Sequence, residues 1–264
     1  MTDTQIAPSP RLAPELEYAI FMTAIKSDAR EAKNLVPIAK RVFDWLIPYV
    51  FHVVELDTER PVPITFNQSA FKRYGKHTRH LFLGRGSGQG KYIHLFPNVT
   101  NIVFWTGFDK AYLPALLQLP LTRISTEFTP QLFQVFQRIT HFDLFSDEIT
   151  MDATFESQLY LPKLTHLCVL PELSPEVFEL FLNRVRCPEL GVVILWGSSS
   201  SGRGFPELDG NWAAPVDEED GRIVRVRCIP RVDWRVGARG GVDMWEFAER
   251  VLASRKGQDT GGLV

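Results

Sequence analysis

Cysteine is scarce in this chain. Three of its 264 residues are cysteines (Cys168, Cys187 and Cys228), and none falls in a CxxC or other ligand-like spacing. An odd count so placed excludes a disulfide framework and points to free thiols in a reducing compartment. An excess of either charge is also missing. Lys and Arg number 29 against 31 Asp and Glu, for a net charge of −2, so nothing advertises nucleic acid or an anionic membrane as a partner. No apolar run approaches the roughly 18 residues of a membrane span. Residues 1–10 are polar and lack the positive start and apolar core of a secretory signal. Together these absences read as a soluble intracellular protein, cytoplasmic or nuclear.

Catalytic signatures are absent as well. There is no G-x-S-x-G and no H-E-x-x-H, and no carboxylate pair is marked by local sequence. The glycine-rich loop Gly84–Gly90 misses both phosphate fingerprints. Gly90-Lys91 is followed by Tyr92 rather than Ser or Thr, and Gln89 or Lys91 stands where the third glycine of GxGxxG belongs. The loop reads as a tether. Triads are spatial rather than sequential, so a missing motif does not by itself exclude an enzyme. It leaves no catalytic residue, cofactor or metal to name, and the expectation is a non-enzymatic binding protein.

What the chain does have is repetition. The pattern apolar-x-x-apolar-x-apolar occurs seven times: Phe51/Val54/Leu56, Thr78/Leu81/Leu83, Val99/Ile102/Phe104, Leu121/Ile124/Thr126, Ile139/Phe142/Leu144, Leu164/Leu167/Val169 and Leu190/Val193/Leu195. A unit recurring every 20 to 29 residues or so is the mark of leucine-rich repeats, each supplying one strand to a parallel sheet. Ile223/Val226/Cys228 is a weaker eighth copy. Several connectors carry helix signals: Asp109 before Lys110–Gln118, Thr129-Pro130 before the stripe Leu132/Val135/Phe136/Ile139, Asp152 before a turn ending at Leu159, and Ser174-Pro175-Glu176 before Val177/Leu180/Phe181. Strand, loop, helix, strand is the rhythm of an α/β fold. The expected architecture is an irregular leucine-rich-repeat-like solenoid with a parallel sheet over residues 51–236, in which 197–221 is a flexible loop.

Two helical regions flank the array. Residues 1–10 read as a disordered leader. Residues 11–50 read as three short helices: one from Pro14 with Leu16 and Ile20 at helical spacing, one from the Asp28/Glu31 capping box, and one after Pro37 that buries Ala39, Val42, Phe43 and Leu46 and stops at Pro48. Residues 237–264 hold an amphipathic helix (Met244, Phe247, Ala248, Val251, Leu252), suited to closing the open end of the array, and a frayed tail.

The third position of each strand motif faces away from the core. It reads His80, Asn101, Arg123, His141, His166 and Val192. Strands about 4.8 Å apart would align these side chains as one ladder, with Asp143 beside His141 on the same face. A metal held by His141, Asp143 and His166 is geometrically conceivable, but no fourth ligand has fitting spacing. The remaining readings are a partner-binding stripe and a merely solvated face. Trp105 and Trp212 are the aromatics most expected to be exposed.

The N-terminal residues carry a resemblance. Leu12-Ala-Pro-Glu-Leu16 with Ile20-Phe21 resembles the L-P-x-E-[LI]…I-F opening of F-box domains, with Ala13 where proline is usual. Leu35-Val36 and Ala39-Lys-Arg-Val-Phe-Asp-Trp45 look like the later V-x-[KR]-x-[FW]…W stretch of that module. With "FPNVTNIVFW", "LPKLTHLCVL" and "DWRVGARGGVDMWEFAERV", the whole chain is similar to uncharacterised fungal F-box-like proteins with degenerate leucine-rich repeats. The resemblance implies that Leu12, Pro14, Leu16, Ile20 and Phe21 dock a Skp-type adaptor of a cullin–RING (SCF-type) ubiquitin ligase while the solenoid presents an unknown protein substrate. Two alternatives stand beside it. In one, the same residues cap the first repeat of a scaffold with no ubiquitin link. In the other, more remote, a hydrolase uses the His/Asp stripe.

Overall fold

The computed structural model describes residues 12–27, 32–57, 68–84, 89–145, 159–170, 173–196, 220–226 and 230–259. The expected leader, the Asp28/Glu31 capping box, the Asp152 turn, Trp212, Cys228 and most of the glycine-rich and 197–221 loops lie outside them. The chain divides after His52 into two compact units.

The first unit is helical: α1 Pro14–Ser27, α2 Ala32–Leu35 and α3 Lys40–Val50. Its core is Ile25, Val42 and Leu46, with Phe21, Met22, Leu35, Val36, Ala39 and Trp45 packed around them. These are side chains at helical spacing on one stripe of α1 and one of α3. Tyr18 meets the Trp45 ring edge to face at 5.7 Å, and Arg41 Nη2 donates to Glu17 Oε1 at 2.6 Å. Contrary to expectation, α3 does not stop at Pro48. It runs two residues further and is closed by Phe51 N–H donating to Ile47 O. Pro48 has no N–H to give the helix, yet the backbone stays helical through Val50.

The second unit is α/β. Eight strands lie side by side in chain order, all parallel, in one open sheet: β1 Val53–Leu56, β2 His80–Leu83, β3 Asn101–Phe104, β4 Arg123–Thr126, β5 His141–Leu144, β6 His166–Val169, β7 Val192–Trp196 and β8 Ile223–Val226. Each of β1 to β6 pairs with the next so that equivalent motif positions align rung by rung, whereas β8 sets Ile223 rather than Val226 opposite Val193, three residues off the eighth copy expected from the sequence. A run of threonines reinforces this register. Thr100, Thr122, Thr140 and Thr165 precede four consecutive strands. Each donates its backbone N–H to the carbonyl of the equivalent residue one repeat earlier, and its Oγ1 lies 3.0–3.4 Å from that same oxygen.

Alternation of side chains along a strand gives the sheet two faces. Leu81, Ile102, Ile124, Phe142, Leu167 and Val193 form an apolar ladder, buried to within about 1%. The connecting helices include α4 Gln68–Tyr74, α5 Leu113–Gln118, α6 Phe133–Phe136 and α7 Pro175–Leu182, and their phenylalanines pack on that side. Phe136 sits 4.9 Å from Phe142 and stacks on Phe128 at 4.8 Å, and Phe128 reaches Phe181 of α7. Two of the anticipated caps form: Asp109 Oδ1 accepts from Ala111 N–H, and Ser174 Oγ accepts from Val177 N–H. Thr129 does not cap; its hydroxyl bonds Gln131 instead. Among the described residues no helix is long and apolar enough to cross a membrane.

Candidate functional site

The opposite face of the sheet changes character from one end to the other. Its rungs read Val53/Glu55, His80/Phe82, Asn101/Val103, Arg123/Ser125, His141/Asp143, His166/Cys168 and Val192/Ile194/Trp196, with Val224 of β8 opposite Ile194 and Val226 opposite Trp196. The first six strands each place a polar side chain here; the last two place only apolar ones.

The predicted stripe is therefore assembled as the spacing required, but it is mostly covered, with His80, Arg123 and His141 left partly exposed. Asn101, Asp143 and His166 are 7%, 6% and 9% exposed. The reason is the C-terminal segment, which folds as α8 Pro230–Ala238 and α9 Met244–Asp259 and covers this face. The aliphatic rungs on β7 and β8 demand an apolar cover, and α9 supplies Met244, Trp245, Ala248 and Leu252, all buried against Cys168, Val192, Ile194, Val224 and Val226. Burying those three large side chains contributes on the order of 5 kcal/mol. The helix expected to close the open end of the array thus lies across the sheet face, while its Arg255 Nη1 also donates to Ile223 O of the last strand at 2.8 Å.

Each polar rung has a specific partner in this cover. At the β1 end, Arg231 donates to Glu55 and Asp57, and Arg235 donates to Glu55 Oε1 at 2.6 Å. Although burial raises Glu55, these two guanidinium groups hold its carboxyl below the ordinary value. Trp234 Nε1 donates to Asn101 Oδ1 at 3.3 Å, and its ring packs on His80 and Phe82. Arg123 Nη1 donates to Asp243 Oδ2 at 3.2 Å, while Asp243 Oδ1 accepts the N–H groups of Trp245 and Glu246 as the N-cap of α9. The His141 and His166 rings stack beneath the edge of Trp245. His166 Nε2 lies 3.0 Å from Glu249 Oε1, and its Nδ1 lies 2.8 Å from the Thr165 hydroxyl oxygen.

Between sheet and cover lies a cavity of about 20 Å3, lined by Asn101, Arg123, His141, Asp143, Asp233 and Asp243 among others. That is room for about one water molecule and for no organic substrate. Burial pushes the Asp143 carboxyl up to about 7, against the hydrogen bonds it receives from Cys168 and Ser125 on the neighbouring strands. Burial also pushes Asp233 up to about 8; the Met244 N–H opposes this, and Asp243 and Asp143 add to it. His141 is driven down to about 2 by burial, Arg123 and His166. The His141/Asp143/His166 set does not converge on a common point. Among the described residues no three His, Cys, Asp or Glu side chains could hold a metal ion.

The α8 and α9 partners were missed in the sequence. Asp243 ahead of an amphipathic stretch is an N-cap signal, and Arg231/Arg235 share a helix face at i, i+4. Those signals identify helices but not the surface they cover.

In the helical unit, Leu12, Leu16, Ile20 and Ile38 are 54%, 56%, 55% and 58% exposed, and Pro14 is exposed with them. Phe21 departs from the expected set. It is partly buried, packed against the core of Ile25, Val42 and Leu46, about 100° around α1 from Ile20. Trp105 is 36% exposed, its ring lying between Phe82 and Phe145.

No protein-family model matches the chain, and no curated protein is significantly similar to it in sequence.

Proposed function

We propose that this chain is a non-enzymatic interaction protein of the F-box-like, leucine-rich-repeat kind, serving as a substrate-recognition subunit of a cullin–RING ubiquitin ligase. In this reading the helical unit docks a Skp-type adaptor through Leu12, Pro14, Leu16 and Ile20, and the parallel-sheet unit is an irregular leucine-rich-repeat-like solenoid that presents a protein substrate. Phe21 supports the docking face from within.

The observation that carries the reading is the exposure of Leu12, Leu16 and Ile20, each more than half open to solvent. Leu16 and Ile20 are one turn apart on a helix whose other side is satisfied by its own core. A row of apolar side chains left outside that core is the form taken by anchors for helix-in-groove packing.

The test is a pull-down with a purified Skp-type adaptor. Wild type retains the adaptor, and Leu16→Asp with Ile20→Asp releases it. If wild type retains none, the ubiquitin reading is lost and the scaffold without a ubiquitin link takes its place.

A further inference from the structure

The polar and aliphatic ends of the sheet face are held by different means. Helix α9 is fastened by apolar burial. Helix α8 contributes few fully buried side chains, Asp233 and Ala238, and holds on mainly through Arg231 and Arg235 to Glu55 and Asp57, Trp234 to Asn101, and Asp233 at the cavity. It is joined to α9 through Gly240 at φ +81°, a left-handed backbone that glycine adopts without strain.

We propose that α8 is a proton-sensitive latch over the polar ladder, hinged at Gly240–Gly241 and seated while the facing carboxyls of Asp143 and Asp233 are neutral, whose lifting uncovers His80, Asn101 and Arg123. Two buried carboxyls lining one small cavity between a strand and a helix cannot both ionise cheaply while that helix stays down. Solvent restores the cost when it lifts.

Asp243, from the start of α9, and Asp143, from β5, act on Asp233, with Arg123 of β4 and His141 of β5 lining the same cavity, while Cys168 of β6 and Ser125 of β4 bond Asp143. Between pH 6.5 and 8.5 Glu55, held low by its two guanidinium partners, stays ionised, and covered His141 stays neutral. Asp143 and Asp233 titrate there, because burial raises them to about 7 and 8. The sign follows. A carboxyl raised on closure favours the seated state at low pH and loses that contribution as pH rises through its raised value. The closing constant falls about tenfold across this window if one carboxyl titrates and about a hundredfold if both do.

The device is independent of adaptor docking, which uses the other unit. Its test is hydrogen exchange by mass spectrometry on the full chain at pH 6.5 and 8.5, corrected for the intrinsic pH dependence of exchange. Protection of 230–238 should fall tenfold to a hundredfold while β3–β5 hold theirs. Asp233→Asn should keep 230–238 protected at pH 8.5, and Asp143→Asn should do the same in part, so either variant that folds serves. Arg235→Gln should lower protection equally at both pH values. Constant protection of 230–238 in wild type, or equal losses throughout the sheet, would overturn the latch.

Discussion

The imidazoles of His141 and His166, on adjacent strands, lie parallel within 5° with their centroids 4.1 Å apart. Two stacked imidazolium rings would repel at that distance, and burial drives both rings below their ordinary pKa. For a histidine lowered on folding, stability is full above about pH 6.5 and lost as pH falls, since the unfolded chain takes up the proton. Asp143 and Asp233, raised on folding, work in the opposite sense over pH 4 to 8, so the wild type masks both effects. His141→Gln separates them. Relative to wild type, the variant should gain up to about 2 kcal/mol between pH 6.5 and 5, the limiting linkage for one histidine over that span. Urea unfolding at both pH values checks it; a pH-independent difference would remove the claim.

Asp243 has two tasks, capping α9 and pairing with Arg123. Asp243→Ala should cost about 1–2 kcal/mol for the cap. The ion pair adds at most about 1 kcal/mol, because Arg123 is a third exposed and solvent screens it. Arg123→Ala alone should lose only the smaller amount. Thermal unfolding of both variants and the double mutant resolves the two parts.

Gly84, at the start of the glycine-rich loop, has a structural role that motif reading overlooks. A Cβ there would sit 2.5 Å from Asp57 Cγ, in the space of the carboxylate that receives Arg231. Gly84→Ala should therefore destabilise by roughly 1–3 kcal/mol through overpacking and the displaced ion pair. Denaturant midpoints compared with Arg231→Gln would show it: if the pair is what is lost, the two substitutions are less than additive.

On the helical unit, exposure and burial make opposite forecasts for neighbouring residues. Leu16→Ser and Ile20→Ser should leave stability within about 0.5 kcal/mol of wild type. Leu46→Ala, fully buried, should cost about 2–5 kcal/mol. Equal losses at both sites would mean that Leu16 and Ile20 are packed rather than presented.

The strands were legible because their information is local. Alternation sets which side chains share a face, and a repeat of near-constant length brings equivalent positions into register. His80, Asn101, Arg123, His141 and His166 could thus be placed on one ladder before any coordinates. That Phe21 packs partly against the core of its unit was not legible, because apolar spacing on a short helix does not say which stripe is the inner one. The threonine ladder went unnoticed because its signal is one residue per repeat, just outside the apolar pattern.

By itself, then, the sequence determined the α/β class, the parallel order and the rungs of the ladder, since two-residue periodicity and a recurring unit suffice for each. Tertiary structure alone decided that the ladder is covered. Arg231 reaches Glu55 across 176 residues, and Arg123 reaches Asp243 across 120. A pairing over such distances leaves no periodic trace in the chain. It is selected by the demand of the aliphatic rungs on β7 and β8 for an apolar cover, which brings the adjoining polar helix down over the rest.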